Sequence, residues 1–209
     1  MPDLSLIKKY FPDITEKQEN QFLKALETYR EWNEKINVVS RKDIENLEEK
    51  HFLHSLAIAK IISFNDGSKV MDVGTGGGFP GIPLAILFPN VQFHLVDSIA
   101  KKIRVVEEVS KACGLKNVTY QQARAEKVKG KYDYVISRAV TRMKPFYSWV
   151  KNKIEPGPHR DVDHGIIYLK GGDISEEMDE LNRSYQIFDI NKWYKEDFFE
   201  TKKIVHVPF

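Results

Sequence analysis

Cysteine is nearly missing from this chain: Cys113 is the only one. A lone thiol excludes a disulfide framework and a thiolate-rich metal site. No apolar run approaches the roughly 20 residues that a bilayer-spanning helix needs. The first ten residues, Met1 to Tyr10, lack the apolar stretch of a secretory leader, so a cytoplasmic location is the expectation. Internal repeats and low-complexity tracts are absent too. The six histidines do not gather around Cys113. His51 and His54, three apart, can share a helix face, where a packed structural role outweighs a metal-binding one.

What is present is enough for one α/β domain with a small extension: 209 residues, 42% of them hydrophobic. The charge is unevenly spread. Residues 101–170 carry 16 Lys and Arg against 7 Asp and Glu, a net +9, while the rest carries 16 against 23, a net −7. Such asymmetry suggests a basic face for a polyanion; solvated lysines on helices are the plainer reading.

Residues 1–65 read as a helical cap. Thr15 and Gln18 have capping-box spacing, and Phe22, Leu23, Leu26, Tyr29 and Trp32 follow at helical intervals. A second helix is expected from about Asp43 to Ile62. From residue 66 to 209 strands and helices alternate. Strands are expected at Val70–Val73, Val91–Val96, Val118–Tyr120, Tyr132–Ile136 and Gly165–Leu169, with helices at Ile99–Ala112 and Glu176–Asn182. Tyr185–Ile190 and Lys203–Val207 read as a closing antiparallel pair. This alternation implies a mostly parallel sheet with right-handed crossovers. Pro156–His164, with two prolines, a glycine and mixed charges, is expected to be a mobile surface loop.

The strongest local signal is Val70-Met71-Asp72-Val73-Gly74-Thr75-Gly76-Gly77-Gly78-Phe79-Pro80-Gly81. It follows a strand and opens a helix, the position at which open parallel sheets bind ligands. Asp97 closes the next strand about 20 residues on, the offset at which a carboxylate reaches ribose hydroxyls. Together they point to an adenosine-containing ligand. Gly76 to Gly81 matches the dinucleotide fingerprint G-x-G-x-x-G. Asp72 and Gly74 instead complete the D-x-G-x-G-x-G arrangement of methyltransferases, and Phe79 and Pro80 are bulky where a pyrophosphate needs open amides. The reading is therefore S-adenosylmethionine rather than a dinucleotide. Ala125-Glu126, after the third strand, falls where such folds place adenine.

Beyond these generic features the chain resembles one family, the bacterial ribosomal RNA small-subunit methyltransferase G proteins, also called glucose-inhibited division protein B. The resemblance runs through Trp32 to Asn37, His51 to Leu56, the glycine loop with its Phe79-Pro80-Gly81-Ile82-Pro83 extension, and Val96-Asp97-Ser98. It continues at Arg124-Ala125-Glu126, Ser137-Arg138-Ala139 and Leu169-Lys170-Gly171. His54 departs from it, since many members carry Asp there. The resemblance implies a class I Rossmann-like α/β fold: a seven-stranded, mostly parallel sheet, helices on both faces and an N-terminal helical cap. It also implies that Gly74, Gly76, Phe79, Asp97, Ala125, Glu126 and Arg138 bind S-adenosylmethionine. The implied substrate is N7 of one guanine in the decoding-region loop of 16S ribosomal RNA, met in the small (30S) subunit. Size and fold suggest a monomer.

Guanine N7 carries an in-plane lone pair and no proton, so its methylation needs no obligatory base, and no catalytic residue is assigned. Two signatures of other chemistries are missing. Cys113 falls at a helix end rather than at a nucleophile's position, and Ser137-Arg138-Ala139-Val140 stands where exocyclic-amine enzymes carry Pro-Pro-aromatic. Arg138 has open alternatives: its fork can bond the methionine carboxylate or an RNA phosphate, or pin the acidic side chains of the glycine loop. Arg142, Lys144 and Lys170 are candidate RNA contacts. Other readings are a methyltransferase for a protein or small molecule, and a non-catalytic cofactor-binding assembly factor.

Overall fold

A computed structural model describes residues 4–40 and 43–209; residues 1–3, 41 and 42 of the expected cap lie outside the described residues. Helix α1 (Ser5–Tyr10) leads into α2 (Glu16–Lys35), which starts at the expected capping box: Thr15 Oγ1 accepts from the Gln18 amide and Gln18 Oε1 from the Thr15 amide. Gln18 also reaches across the molecule. Its Nε2 donates to the Ile86 and Leu87 carbonyls at 3.1 and 3.0 Å, satisfying groups that a helix end leaves open.

The expected second helix is shorter and irregular. A π-helical turn, Glu48–Leu53, passes into α3 (His54–Leu56) and then a 3₁₀ turn, Ala57–Lys60. Hydrophobic spacing registers a helical face but not a change of winding, which is set by what the backbone bonds to.

The sheet comprises β1 (Lys69–Val73), β2 (Gln92–Asp97), β3 (Val118–Gln122), β4 (Tyr134–Arg138), β5 (Gly165–Gly171), β6 (Gln186–Asp189) and β7 (Lys202–Pro208). Between them run α4 (Gly81–Leu87), α5 (Ala100–Ala112), α6 (Met143–Val150) and α7 (Ser175–Asp179). The strand order is β3-β2-β1-β4-β5-β7-β6. The first five strands are parallel; β7 runs antiparallel to both β5 and β6. The order reverses between β1 and β4, which opens a crevice at their carboxyl ends.

Both sheet faces are covered, as a parallel sheet requires. Side chains alternate along each strand. Val70, Leu95, Tyr134, Ile136 and Ile167 face one core together with Phe22, Leu26, Tyr29 and Phe52 of the N-terminal helices. Met71, Val96, Val135, Ile166 and Val205 face a second core beneath α6 and α7. Pro156–His164 is fastened rather than loose: Val162 is buried, its carbonyl accepts from the Tyr134 hydroxyl at 3.0 Å, and Asp161 accepts from the Ser63 amide at 2.8 Å. A single apolar anchor in a polar, proline-bearing stretch does not stand out in composition. Among the described residues, no helix is long and apolar enough to cross a membrane.

Candidate functional site: a cofactor cleft and a second cavity

The glycine loop is held from below by one fully buried carboxylate. Asp72 Oδ2 accepts from Thr75 Oγ1 at 2.7 Å and from the Gly81 amide at 2.8 Å, tying both ends of the loop to β1. Burial pushes its carboxyl up to about 7, against the Thr75 and Gly81 hydrogen bonds and the Arg138 charge, which favour the anion. The N-terminal helices hold the loop from the side. Tyr29 donates its hydroxyl to the Gly77 carbonyl at 2.7 Å. Asn33 Oδ1 accepts from the Val38 and Val39 amides at 3.0 and 2.9 Å, which sets Val38 so close that a Cβ on Gly77 would lie 3.0 Å from its own. The Trp32–Asn37 stretch thus shapes the loop from a distant part of the sequence.

Above the loop lies a cleft of about 420 Å³ at the ends of β1, β2 and β4, lined among others by Gly74, Asp97, Ile99, Ala125, Glu126 and Val140. Its size falls in the range of small-ligand sites. Gly74 has φ +67°, and a Cβ there would lie 2.3 Å from Val140 Cγ2, so only glycine fits. Asp97 receives the Gly76 amide on Oδ2 and the Ile99 amide on Oδ1, each at 2.9 Å. Each oxygen keeps a second lone pair, enough to accept a pair of vicinal hydroxyls. Ala125 and Glu126 open a 3₁₀ turn, whose leading amides have no partner within the turn. Asp97→Ala is expected to weaken S-adenosylmethionine binding about 100-fold or more, since it removes the hydroxyl acceptor and frees two loop amides. Calorimetric titration checks this; an unchanged Kd would remove Asp97 from the site.

Three of the expected cofactor residues do not line this cleft: Gly76, whose amide is taken by Asp97, and Phe79 and Arg138. Phe79 is 4% exposed, with its ring stacked on Tyr29 at 4.7 Å and edge-on to Phe52; it supports the loop from beneath instead of lining the cleft. Arg138 follows Tyr134 and Ile136 along β4, and this alternation turns it toward the N-terminal helices. Its Nη1 donates to the Lys50 carbonyl at 3.1 Å and its Nη2 to His51 Nδ1 at 2.8 Å, with the guanidinium 5.2 Å from the Phe79 ring centre. The π-helical turn contains both acceptors. Among the described residues no carboxylate lies within ion-pair distance of this buried guanidinium, and burial lowers its pKa to about 10. Burial and the Arg138 charge lower His51 to about 3, so its ring is neutral and accepts. The alternative in which Arg138 directly pins the acidic residues of the loop is not what the side chain does: it contacts the loop through Phe79.

Arg138 instead lines a second cavity of about 340 Å³, together with Asp43, Lys50, His54, Lys170 and Lys202. Ala139 lines both cavities and has φ +55°. The segment after it is tied down by Tyr168, whose hydroxyl accepts from the Val140 and Thr141 amides at 3.0 and 2.9 Å. Tyr168 carried no motif signal; only the pairing of β4 with β5 brings it there. Of the candidate RNA contacts, Arg142 is paired with Glu180 at 2.7 Å and Lys170 with Glu177 at 2.6 Å. Lys144 is exposed and has no ion-pair partner among the described residues.

The residues around the first cleft suit S-adenosylmethionine: a glycine-only floor, a carboxylate with free lone pairs and the open amides of a turn. Bound there, it supplies an electrophilic sulfonium methyl. The sheet order and this site define a class I S-adenosylmethionine-dependent methyltransferase. Solved structures share the fold. An S-adenosylmethionine-dependent methyltransferase from Aquifex aeolicus superposes with a TM-score of 0.59 at 14% identity, over 82% of this chain and 100% of that one. The M. jannaschii protein TYW2, solved in complex with AdoMet, gives 0.54 at 19% identity, over 81% and 76%. The family model described as rRNA small subunit methyltransferase G matches residues 17–203. The chain is 56% identical over 205 residues to the ribosomal RNA small subunit methyltransferase G of Cytophaga hutchinsonii, covering 98% of this chain and 99% of that protein. It is 53% identical over 204 residues to that of Bacteroides fragilis, covering 98% and 99%. The chain belongs to the rRNA small subunit methyltransferase G family.

Proposed function

We propose that this chain methylates N7 of one guanine in the decoding-region loop of 16S ribosomal RNA, acting as a cytoplasmic monomer on the small ribosomal subunit. The observation that carries the reading is the junction at Ala139. The cofactor cleft and a second, cation-flanked cavity meet there, so a base in the second cavity can present a ring nitrogen to the first. Residues 66–209 supply the cofactor site. Residues 1–65 brace the glycine loop and wall the base cavity. The chain's own residues position and exclude water, which is where the rate of a reaction without proton removal must come from.

The direct test supplies S-adenosylmethionine with a labelled methyl group and small subunits that lack the modification. The label is expected in 7-methylguanosine at a single position; label in another atom, in protein or nowhere overturns the reading. Binding to the subunit should weaken steeply with salt, through counterion release at the basic residues of 101–170; a flat salt dependence would remove that face as the docking surface. Single-turnover transfer at saturating cofactor should lack a tenfold-per-unit pH dependence from about 6.5 to 8.5; Asp72, pushed up to about 7, titrates in that window, but it bonds the loop at Thr75 and Gly81 and takes no proton from the substrate. His51, lowered to about 3, and His54, lowered well below its ordinary value, are neutral across that window. A tenfold rise per pH unit, abolished by one substitution, would reveal an essential base.

A further inference from the structure

Lys153 is only 8% exposed, and a lysine so deeply covered is as a rule paired with a carboxylate. Among the described residues no carboxylate lies within ion-pair distance of it. Its Nζ instead donates to two backbone carbonyls, that of Glu126 at 3.2 Å and that of Val128 at 2.5 Å. The first is inside the 3₁₀ turn that opens at Ala125 in the wall of the cofactor cleft, the second directly after it. The later amides of the turn are used within it: Lys127 donates to the Arg124 carbonyl at 3.0 Å and Val128 to the Ala125 carbonyl at 3.2 Å. The turn thus keeps its leading amides for the cleft and gives its closing carbonyls to Lys153. Little else holds it, since only Ala125 and Val128 of residues 124–131 are buried. Lys153 itself is well anchored. It ends a second 3₁₀ turn, Lys151–Lys153. Its carbonyl accepts from the Tyr132 amide at 2.9 Å, and the Tyr132 carbonyl accepts from the Glu155 amide at 2.8 Å.

We propose that Lys153 is a positioning residue for the adenine of S-adenosylmethionine, acting through the Ala125–Glu126 turn. The inference rests on the reading of that turn as the adenine site. Lys153 does not itself line the cleft. Adenine presents an acceptor at N1 beside a donor at its 6-amino group. An open backbone amide and the Glu126 carboxylate complement that pair. Both come from one short turn, so its backbone sets their spacing and tilt, and hydrogen bonds weaken steeply once bent or stretched. By bonding carbonyls two residues apart, a single Nζ fixes the pitch of the turn where it ends. Without that donor the two carbonyls must find water, and the turn shifts toward solvent and away from the base.

The test is calorimetric and uses the full chain with two ligands, S-adenosylhomocysteine and S-inosylhomocysteine. The hypoxanthine of the second inverts the recognised pair, with a donor at N1 and an acceptor at position 6. Wild type is expected to prefer S-adenosylhomocysteine about 100-fold or more. Lys153→Met keeps the length of the side chain and deletes the donor. It should bind S-adenosylhomocysteine about 10- to 30-fold more weakly and S-inosylhomocysteine about as wild type does, so that the ratio falls about tenfold. Lys153→Gln, too short to reach both carbonyls, repeats the comparison with a polar side chain should the Met variant not fold. Lys151→Met removes the same charge from the exposed start of the same 3₁₀ turn and should leave both affinities unchanged. Equal losses on the two ligands would show a merely structural role and overturn the inference. So would an undiminished ratio in the folded Lys153 variant, or an equal fall in Lys151→Met. Wild type separates the two levels. If it does not discriminate the ligands, the reading of the turn as the adenine site fails; if it does and the Lys153 variant keeps the full ratio, only this inference fails.

Discussion

Gly74→Val is expected to abolish measurable S-adenosylmethionine binding and to lower the melting temperature by roughly 5–15 °C. Two independent costs meet at this position. The backbone sits at φ +67°, where a side chain costs roughly 1–2 kcal/mol and a β-branched one more. A Cβ would also lie 2.3 Å from Val140 Cγ2, so the segment after β4 must lift from the loop, at about 1–3 kcal/mol for overpacking. The two costs separate experimentally. Gly74→Ala combined with Val140→Ala relieves the collision but not the backbone strain, and should recover stability more than binding. Gly76→Ala is the internal comparison: φ is +58°, yet a Cβ there meets nothing within 4 Å, so only the conformational cost remains. Calorimetry with S-adenosylmethionine and thermal melts of the three variants decide the matter. Undiminished binding by Gly74→Val would detach the loop from the cofactor site.

Arg138→Ala is expected to reduce methyl transfer about 100-fold or more while changing cofactor affinity far less. The guanidinium belongs to the second cavity, and its loss removes the brace between the end of β4 and the π-helical turn that carries His51. The Lys50 carbonyl and His51 Nδ1 then lack their donor, each a loss of about 1–3 kcal/mol if no water replaces it. Removing a buried charge that has no carboxylate partner among the described residues offsets part of this cost, so a moderate net destabilisation of about 2–3 kcal/mol is expected. Asp72 would respond at a distance: without the Arg138 charge, which favours its anion, its pKa should rise further. Arg138→Lys should not restore activity, because one ammonium cannot reproduce a planar fork bonded to two acceptors. The readouts are cofactor Kd, single-turnover rate and melting temperature. A variant that loses cofactor binding in proportion to activity would return Arg138 to the first cleft.

The parts legible in the sequence are those in which nearby residues build a feature with their own backbone. The glycine loop is a contiguous stretch between β1 and α4. Asp97 is the next strand's last residue and bonds the Gly76 amide. Asp72, the acidic residue that opens the D-x-G-x-G-x-G arrangement, ties both ends of the loop. The capping box at Thr15 is a matter of three residues. The positions of the parallel strands, and the antiparallel pairing of the last two, followed from apolar runs and their breaks, because each strand's burial is written in its own residues.

The parts that only the tertiary structure decided involve direction and distant partners. Whether Arg138 faces the cofactor or the N-terminal helices depends on the pleat phase of β4, set by Tyr134 and Ile136 packing into one core and Val135 into the other. Phe79 reads as a loop residue beside a ligand, but Tyr29 and Phe52 claim its ring from beneath. Lys170, one positive charge among many in composition, is held by Glu177 once β5 and α7 meet. The π-helical turn has no local signature, since the Lys50 carbonyl is satisfied by an arginine 88 positions away. One-dimensional order carries periodicity and local bonding. Which face a side chain takes, and which charge is left without a partner, is settled only when separate elements compete for the same volume.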